Sequence, residues 1–175
     1  MGHSFARHSF PRMAPTEVNA LLEQTLQLTR HQFELVGVNV TTHLAAGLPE
    51  VECDPQQIKQ ALLAMFINAC EAMPQGGQLT AETRPASVGA VEIRIRDTGV
   101  GMDPQTQKHV FEPFFTTKDG TATGGTGLGL SVVYTIVRSH RGTITVDSTP
   151  GRGSLFVLTL PCRQEESMAE ESSHA

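Results

Sequence analysis

The chain has 175 residues, 39% hydrophobic, with a net charge of -5, which fits one domain with a single core and a loose end at either terminus. Its 13 basic residues are scattered rather than clustered, which argues against nucleic acid as a partner, and it has neither an apolar run long enough to cross a bilayer nor a signal peptide. Three widely spaced cysteines (Cys53, Cys70, Cys162) lack zinc-site spacing, so a reduced cytoplasmic chain is the simplest reading.

Residues 1–15 show no sustained periodicity and read as a linker remnant; residues 16–161 read as the domain, and the acidic, polar residues 162–175 as a disordered tail. A helix is expected from Thr16, with Thr16 as its cap. Val18, Leu21, Leu22, Thr25, Leu26, Leu28 and Phe33 form its apolar face, and Gly37 ends it. Val38 to Leu44, rich in β-branched residues, reads as a strand. Asp54-Pro55-Gln56-Gln57 is a helix start: Asp caps, Pro takes the first helical position and Gln57 can close a capping box. This helix is expected to reach about Met73, where Pro74 and Gly76-Gly77 stop it. Gln78 to Arg84 and Val91 to Asp97 alternate like two antiparallel neighbours.

Residues 98–126 are dense in Gly, Pro and Thr, as binding loops and lids are, with a short helix expected near Pro104 to Val110. Gly127 to Ser139 reads as an apolar-faced helix. Thr143 to Asp147 and Ser154 to Leu160 read as strands joined by a turn over residues 149–153. The sum is a two-layer α/β sandwich, with helices on one face of a mixed, mostly antiparallel sheet.

There is no P-loop motif, and the element order is not that of a Rossmann site. Four other segments carry chemistry. Asp97-Thr98-Gly99-Val100-Gly101 puts a carboxylate at a strand end, able to accept from an exocyclic amine, with glycines beyond it that let a flat ring approach the backbone. Gly124-Gly125-Thr126-Gly127-Leu128-Gly129-Leu130 runs into a helix whose free amides suit phosphate. Asn68, an awkward residue in mid-helix, shares a face with Ala64 and Glu71, and its amide oxygen together with the Glu71 carboxylate suits magnesium or its waters. Phe111 to Lys118 places three phenylalanines in the loop, with Lys118 able to reach a phosphate. Taken singly, these are equally a plain Asp-Gly turn, a flexible linker, a solvent-facing polar stripe and an aromatic cluster pinning a loop. Their order and spacing together decide the matter.

In that order the chain resembles the histidine kinase branch of the Bergerat-fold ATPases from about Thr16 to Pro161. Asn68-Ala69-Cys70-Glu71-Ala72 is similar to the asparagine box, Asp97 to Met102 to the first glycine box and Phe111 to Lys118 to the phenylalanine box. Gly124 to Tyr134 is similar to the second glycine box, and Gly151 to Pro161 to the closing strand. The resemblance implies the catalytic ATP-binding domain of a bacterial sensor histidine kinase. In it, Asn68 would coordinate Mg2+, with Glu71 alongside, and Asp97 would hold the adenine amino group. Gly99 and Gly101 would admit the base, and Ser154 would reach the adenine edge through water. Lys118 and the segment Gly125, Thr126, Gly127, Leu128 and Gly129 would handle the phosphates.

Implied partners are ATP, a dimerisation and phosphoacceptor domain upstream of this chain, and a response regulator. The isolated domain is expected to be a monomer and the parent a homodimer, with membrane anchoring of the parent left open. None of the seven histidines precedes an acidic residue as the family's phosphoacceptor does. Two departures stand out. Ala64 occupies the place where hydrolysing relatives carry a water-activating glutamate, which argues against a gyrase-type ATPase. Arg141 stands in a turn that the family usually writes with two glycines, so a changed turn is expected there. A nucleotide-binding module without transferase activity is the other alternative.

Overall fold

The computed structural model describes residues 11–113 and 129–164. In chain order it forms β1 (Ala14–Thr16), α1 (Val18–Val36), β2 (Val38–His43), β3 (Val51–Cys53), α2 (Pro55–Ala72), β4 (Gly77–Pro85) and β5 (Ala90–Asp97). Then come α3 (Pro104–His109), α4 (Gly129–Ser139), β6 (Thr143–Thr149) and β7 (Gly153–Pro161). Five strands make one sheet in the order β2-β4-β5-β7-β6, and β1 and β3 pair separately. Only β2 and β4 run parallel; the other three pairings are antiparallel. The expected two-layer sandwich with a mixed, mostly antiparallel sheet is therefore what forms.

Strict alternation explains why one face of the sheet is covered. Leu79 and Ala81 of β4, Val91, Ile93 and Ile95 of β5, and Phe156, Leu158 and Leu160 of β7 are all buried. The residues between them, such as Glu92, Arg94 and Arg96, stay at least partly accessible on the other face. The helices close over the apolar side with Leu22 and Phe33 of α1, Ile58, Leu62 and Phe66 of α2, and Val133 and Val137 of α4. Each such side chain removed from water stabilises the fold by about 1.5–3 kcal/mol before entropy is counted. Gly37, at φ 81°, caps α1 through its N–H to the Glu34 carbonyl. The Gly77 N–H then reaches the Gly37 carbonyl at 3.4 Å, so the two helix ends meet and launch β2 and β4 side by side.

Several sequence expectations need correction. Thr16 does not cap α1: it belongs to β1, its hydroxyl donates to the Ala14 carbonyl, and Glu17 stands at the cap position without a side-chain bond. Leu28, assigned to the apolar face, is 58% exposed, because the helix turns it away from α2. Residues Ala14 and Pro15, placed in the linker, pair with Cys53 and Glu52. At the other end the Cys162 N–H donates to the Gly89 carbonyl, and Gln164 Nε2 donates to the His140 carbonyl.

Asp54 does cap α2, accepting from the Gln56 and Gln57 amides. The Asp54 N–H, which a capping box would have given to the Gln57 side chain, goes instead to His140 Nε2 at 3.0 Å. Fully buried His140 faces the Ile136 carbonyl with Nδ1 at 2.7 Å, so it is the neutral tautomer with its proton on Nδ1. Arg141, at φ 58°, keeps the left-handed turn a glycine would supply. The change expected there is thus one of strain rather than of shape.

Candidate functional site

Antiparallel register brings four inward positions into one row across the sheet, Leu79, Asp97, Ser154 and Ser148, on β4, β5, β7 and β6 respectively. This row lies at the end of the sheet where β5 leaves for the glycine loop. Asp97 is 2% exposed and Ser154 7%, so both polar groups sit within the apolar layer rather than on its rim. Burial pushes the Asp97 carboxyl up from its ordinary value, while backbone hydrogen bonds from Gly99 and Ser154 pull it back down. The Gly99 amide lies 2.8 Å from Asp97 Oδ1, closing a tight turn directly after the strand.

That turn is clamped from both sides. The Val100 N–H donates to the Ala72 carbonyl at the end of α2, 2.9 Å away, and the Gly151 N–H donates to the Val100 carbonyl at 2.7 Å. A Cβ on Gly99 would collide with the Ala72 carbonyl, and one on Gly101, at φ 70°, with the Thr149 carbonyl. The absence of side chains here is therefore required by close approach of the chain's own backbone, a reason the sequence reading did not give. The same clamp carries the C-terminal end of α2, with Asn68 and Glu71, to the Asp97 end of the sheet.

Asn68 is half-buried and makes no hydrogen bond among the described residues, so its carboxamide oxygen is uncommitted. Glu71 lies one turn further along the same helix, and its carboxyl is raised by desolvation. Ala64, one turn before Asn68, packs partly against the core and supplies no base. No cluster of three or more His, Cys, Asp or Glu that could hold a metal occurs among the described residues. The donor set fits an oxygen-loving, largely hydrated cation such as magnesium, with Asn68 as the protein ligand and Glu71 able to orient its waters. Of the remaining expected contacts, Lys118, Gly125, Thr126, Gly127 and Leu128 lie outside the described residues. Gly129 opens α4.

Phe111, the first residue of the phenylalanine segment, stacks on Tyr134 of α4 at 5.8 Å and meets Phe156 edge-on at 6.3 Å. The loop's first aromatic is thus docked on the core.

Two residues at this end were missed by sequence reasoning. Gln107 of α3 donates through Nε2 to the Met102 and Ser148 carbonyls, at 3.1 and 2.9 Å, and accepts from the Ser148 N–H at 3.2 Å. Ser148 Oγ accepts from the Met102 N–H at 2.8 Å. Together they fasten the end of the glycine loop to β6. The signal was present: Ile144, Val146 and Ser148 alternate, which puts Ser148 on the inner face, but the expected strand stopped at Asp147.

With this geometry in hand, comparison with known proteins is specific. The family model described as "Histidine kinase-, DNA gyrase B-, and HSP90-like ATPase" matches residues 53–164. Sporulation kinase E of Bacillus subtilis is 37% identical over 147 residues, covering 84% of this chain and 19% of that protein. Full-length ShkA, solved in complex with AMPPNP, superposes with a TM-score of 0.76 at 26% identity, covering 87% of this chain and 31% of that one. The catalytic domain of histidine kinase ThkA, solved nucleotide-free, also gives 0.76 at 25% identity, covering 86% of this chain and 98% of that one. The chain spans about a fifth to a third of the length of the first curated relatives it matches.

Proposed function

The chain belongs to the histidine kinase-, DNA gyrase B- and HSP90-like ATPase family, and on that premise we propose that it is the ATP-binding catalytic domain of a sensor histidine kinase. Its reaction is donation of the ATP γ-phosphoryl to a histidine on a separate helical domain. The observation that carries this reading is the buried Asp97 carboxylate beside Ser154, set at a strand end and followed by a glycine turn clamped to the Asn68 helix. A carboxylate taken out of water without a charged partner is costly to keep, and it is kept where a ligand uses it. The AMPPNP held by ShkA supports an adenine nucleotide as that ligand.

In this reading Asp97 accepts from the exocyclic amine of the base, and Ser154 completes the base edge. Gly99 and Gly101 keep the loop close enough to α2 for base and phosphates to lie between them. Asn68 and Glu71 would hold a magnesium ion, which supplies charge neutralisation at the phosphates. Lys118 and the amides of residues 125–129 are the proposed phosphate contacts. Little covalent work falls to this domain, whose contribution is binding and orientation of ATP for an incoming imidazole. The proposed partners are the dimerisation and phosphoacceptor domain and, downstream, a response regulator; the domain alone is proposed to be monomeric and to act in the cytoplasm. No helix among the described residues is long and apolar enough to cross a membrane.

Ala64 favours this reading over a gyrase-type ATPase, since it leaves water without a positioned base. The test is transfer in trans. The chain is mixed with γ-labelled ATP, magnesium and a separately produced helical domain carrying the acceptor histidine of a related kinase. Acid-labile label on that histidine, lost with Asn68→Ala, is the expected result. A chain that binds ATP but labels no acceptor, with several helical domains tried, would leave a nucleotide-binding module without transferase activity.

A further inference from the structure

Ser148 has one hydroxyl proton and three polar neighbours. The Met102 N–H, at 2.8 Å, can only donate, so Ser148 Oγ accepts from it. The Gly153 carbonyl, at 3.0 Å, can only accept, so it takes the Ser148 proton. The third neighbour is Ser154 Oγ at 2.7 Å. With its only proton committed, Ser148 can meet Ser154 only through a lone pair, and the Ser154 hydroxyl must donate to it. Gln107 holds the Ser148 backbone through both its N–H and its carbonyl, so this arrangement has little freedom to rotate away.

The consequence reaches the ligand. Ser154 turns only lone pairs toward the space beside Asp97, its register partner on β5. An ionised Asp97 also offers only acceptors. A water held between the two would give one hydrogen to each and likewise present only lone pairs outward. Directly or through such a water, this end of the site faces the base with acceptors alone. An amino group, with N–H donors, complements it; a ring carbonyl does not.

We propose that Ser148 is a specificity-determining residue of the nucleotide site. By taking the Ser154 proton it makes the base-facing end acceptor-only, selecting a purine nucleotide with an amino group at that edge over one with a carbonyl. This rests on the nucleotide-binding reading given above. Neither Ser148 nor Gln107 touches the nucleotide in this account; both act through Ser154.

The test compares ATP with inosine triphosphate, the same purine with a carbonyl in place of the amino group. Dissociation constants for both are measured calorimetrically on wild type, Ser148→Ala and Ser148→Thr, with melting curves alongside. Freed from Ser148, the Ser154 hydroxyl can donate to a carbonyl, so Ser148→Ala should narrow the ATP preference by about 3- to 10-fold, the range of one neutral hydrogen bond. Ser148→Thr, which retains a hydroxyl, should restore the preference. A role confined to holding the loop would lower the melting temperature and weaken both nucleotides equally. An unchanged ratio in Ser148→Ala, or a wild type that binds the two equally well, overturns the proposal while leaving nucleotide binding intact. A wild type that binds neither overturns the nucleotide reading itself.

Discussion

Asp97 is held at a cost in the free protein. Its carboxyl is raised mainly by desolvation, so the folded state takes up a proton more readily than the unfolded one. Its contribution to stability is therefore most favourable below its ordinary value, near 3.8, and is lost as pH rises through the raised folded value. Asp97→Asn removes the charge at nearly constant shape. At pH 7 to 8 the variant should melt at or above wild type while losing at least about tenfold in ATP affinity, the equivalent of one charge-assisted hydrogen bond. The melting advantage should shrink as pH falls through the folded Asp97 value, as thermal scans across pH would show. A variant that melts well below wild type at every pH would show instead that the carboxylate stabilises the fold.

A second residue-scale prediction concerns Arg141, held left-handed at φ 58°. An L-residue there costs about 1–2 kcal/mol. The extra freedom of glycine in the unfolded chain offsets about 0.5–1 kcal/mol of any relief. Arg141→Gly should therefore be more stable by about 0.5–1 kcal/mol in urea titration, with ATP affinity unchanged.

At the scale of elements, His140 joins three segments that are distant in sequence. Its Nε2 accepts the first amide of the α2 start, its Nδ1 proton goes to the Ile136 carbonyl of α4, and its own carbonyl receives Gln164 Nε2. The Arg12 N–H also reaches Asp54 Oδ2, 2.9 Å away, so the entering chain is tied to the same cap. His140→Leu keeps the bulk but leaves the Asp54 N–H buried without a partner. The expected loss is about 1–3 kcal/mol by denaturant titration. The Ile136 carbonyl is less affected, because the Ser139 hydroxyl and the His140 N–H also donate to it.

The helices and long strands were legible in the sequence because period and caps speak locally: Asp54-Pro55, Asp103-Pro104 and Gly37 mark ends, and Val91 to Asp97 alternates without a break. What was not legible depends on partners far away in the chain. The parallel pairing of β2 with β4 follows from where two helix ends meet, at Gly37 and Gly77. Strands β1 and β3 have three residues each, too few for any period to show. Within the candidate site, Asp97, Ser154 and Asn68 announced themselves through motif order. Gln107 and Ser148 did not, since a Gln on a short helix and a Ser at a strand end acquire meaning only through each other.

At the scale of the whole molecule, the sheet end, the clamped turn and the tip of α2 form one unit. It positions a nucleotide and supplies no group to activate water. A general base contributes about 10²–10⁴-fold to such a step. With Ala64 in its place, the chain alone should hydrolyse ATP slowly, with phosphate release close to background even at saturating ATP and magnesium. Rapid steady turnover by the isolated chain would move it toward the gyrase-type ATPases.

The claim that this unit is an ATP site is tested most directly by calorimetric titration of ATP, with and without magnesium, into the chain and into Asp97→Asn. Saturable binding to the wild-type chain, strengthened by magnesium and reduced at least about tenfold in a variant that remains folded, is the predicted result. No heat of binding at millimolar ATP from a folded wild-type chain, or equal affinity in the two proteins, would contradict it.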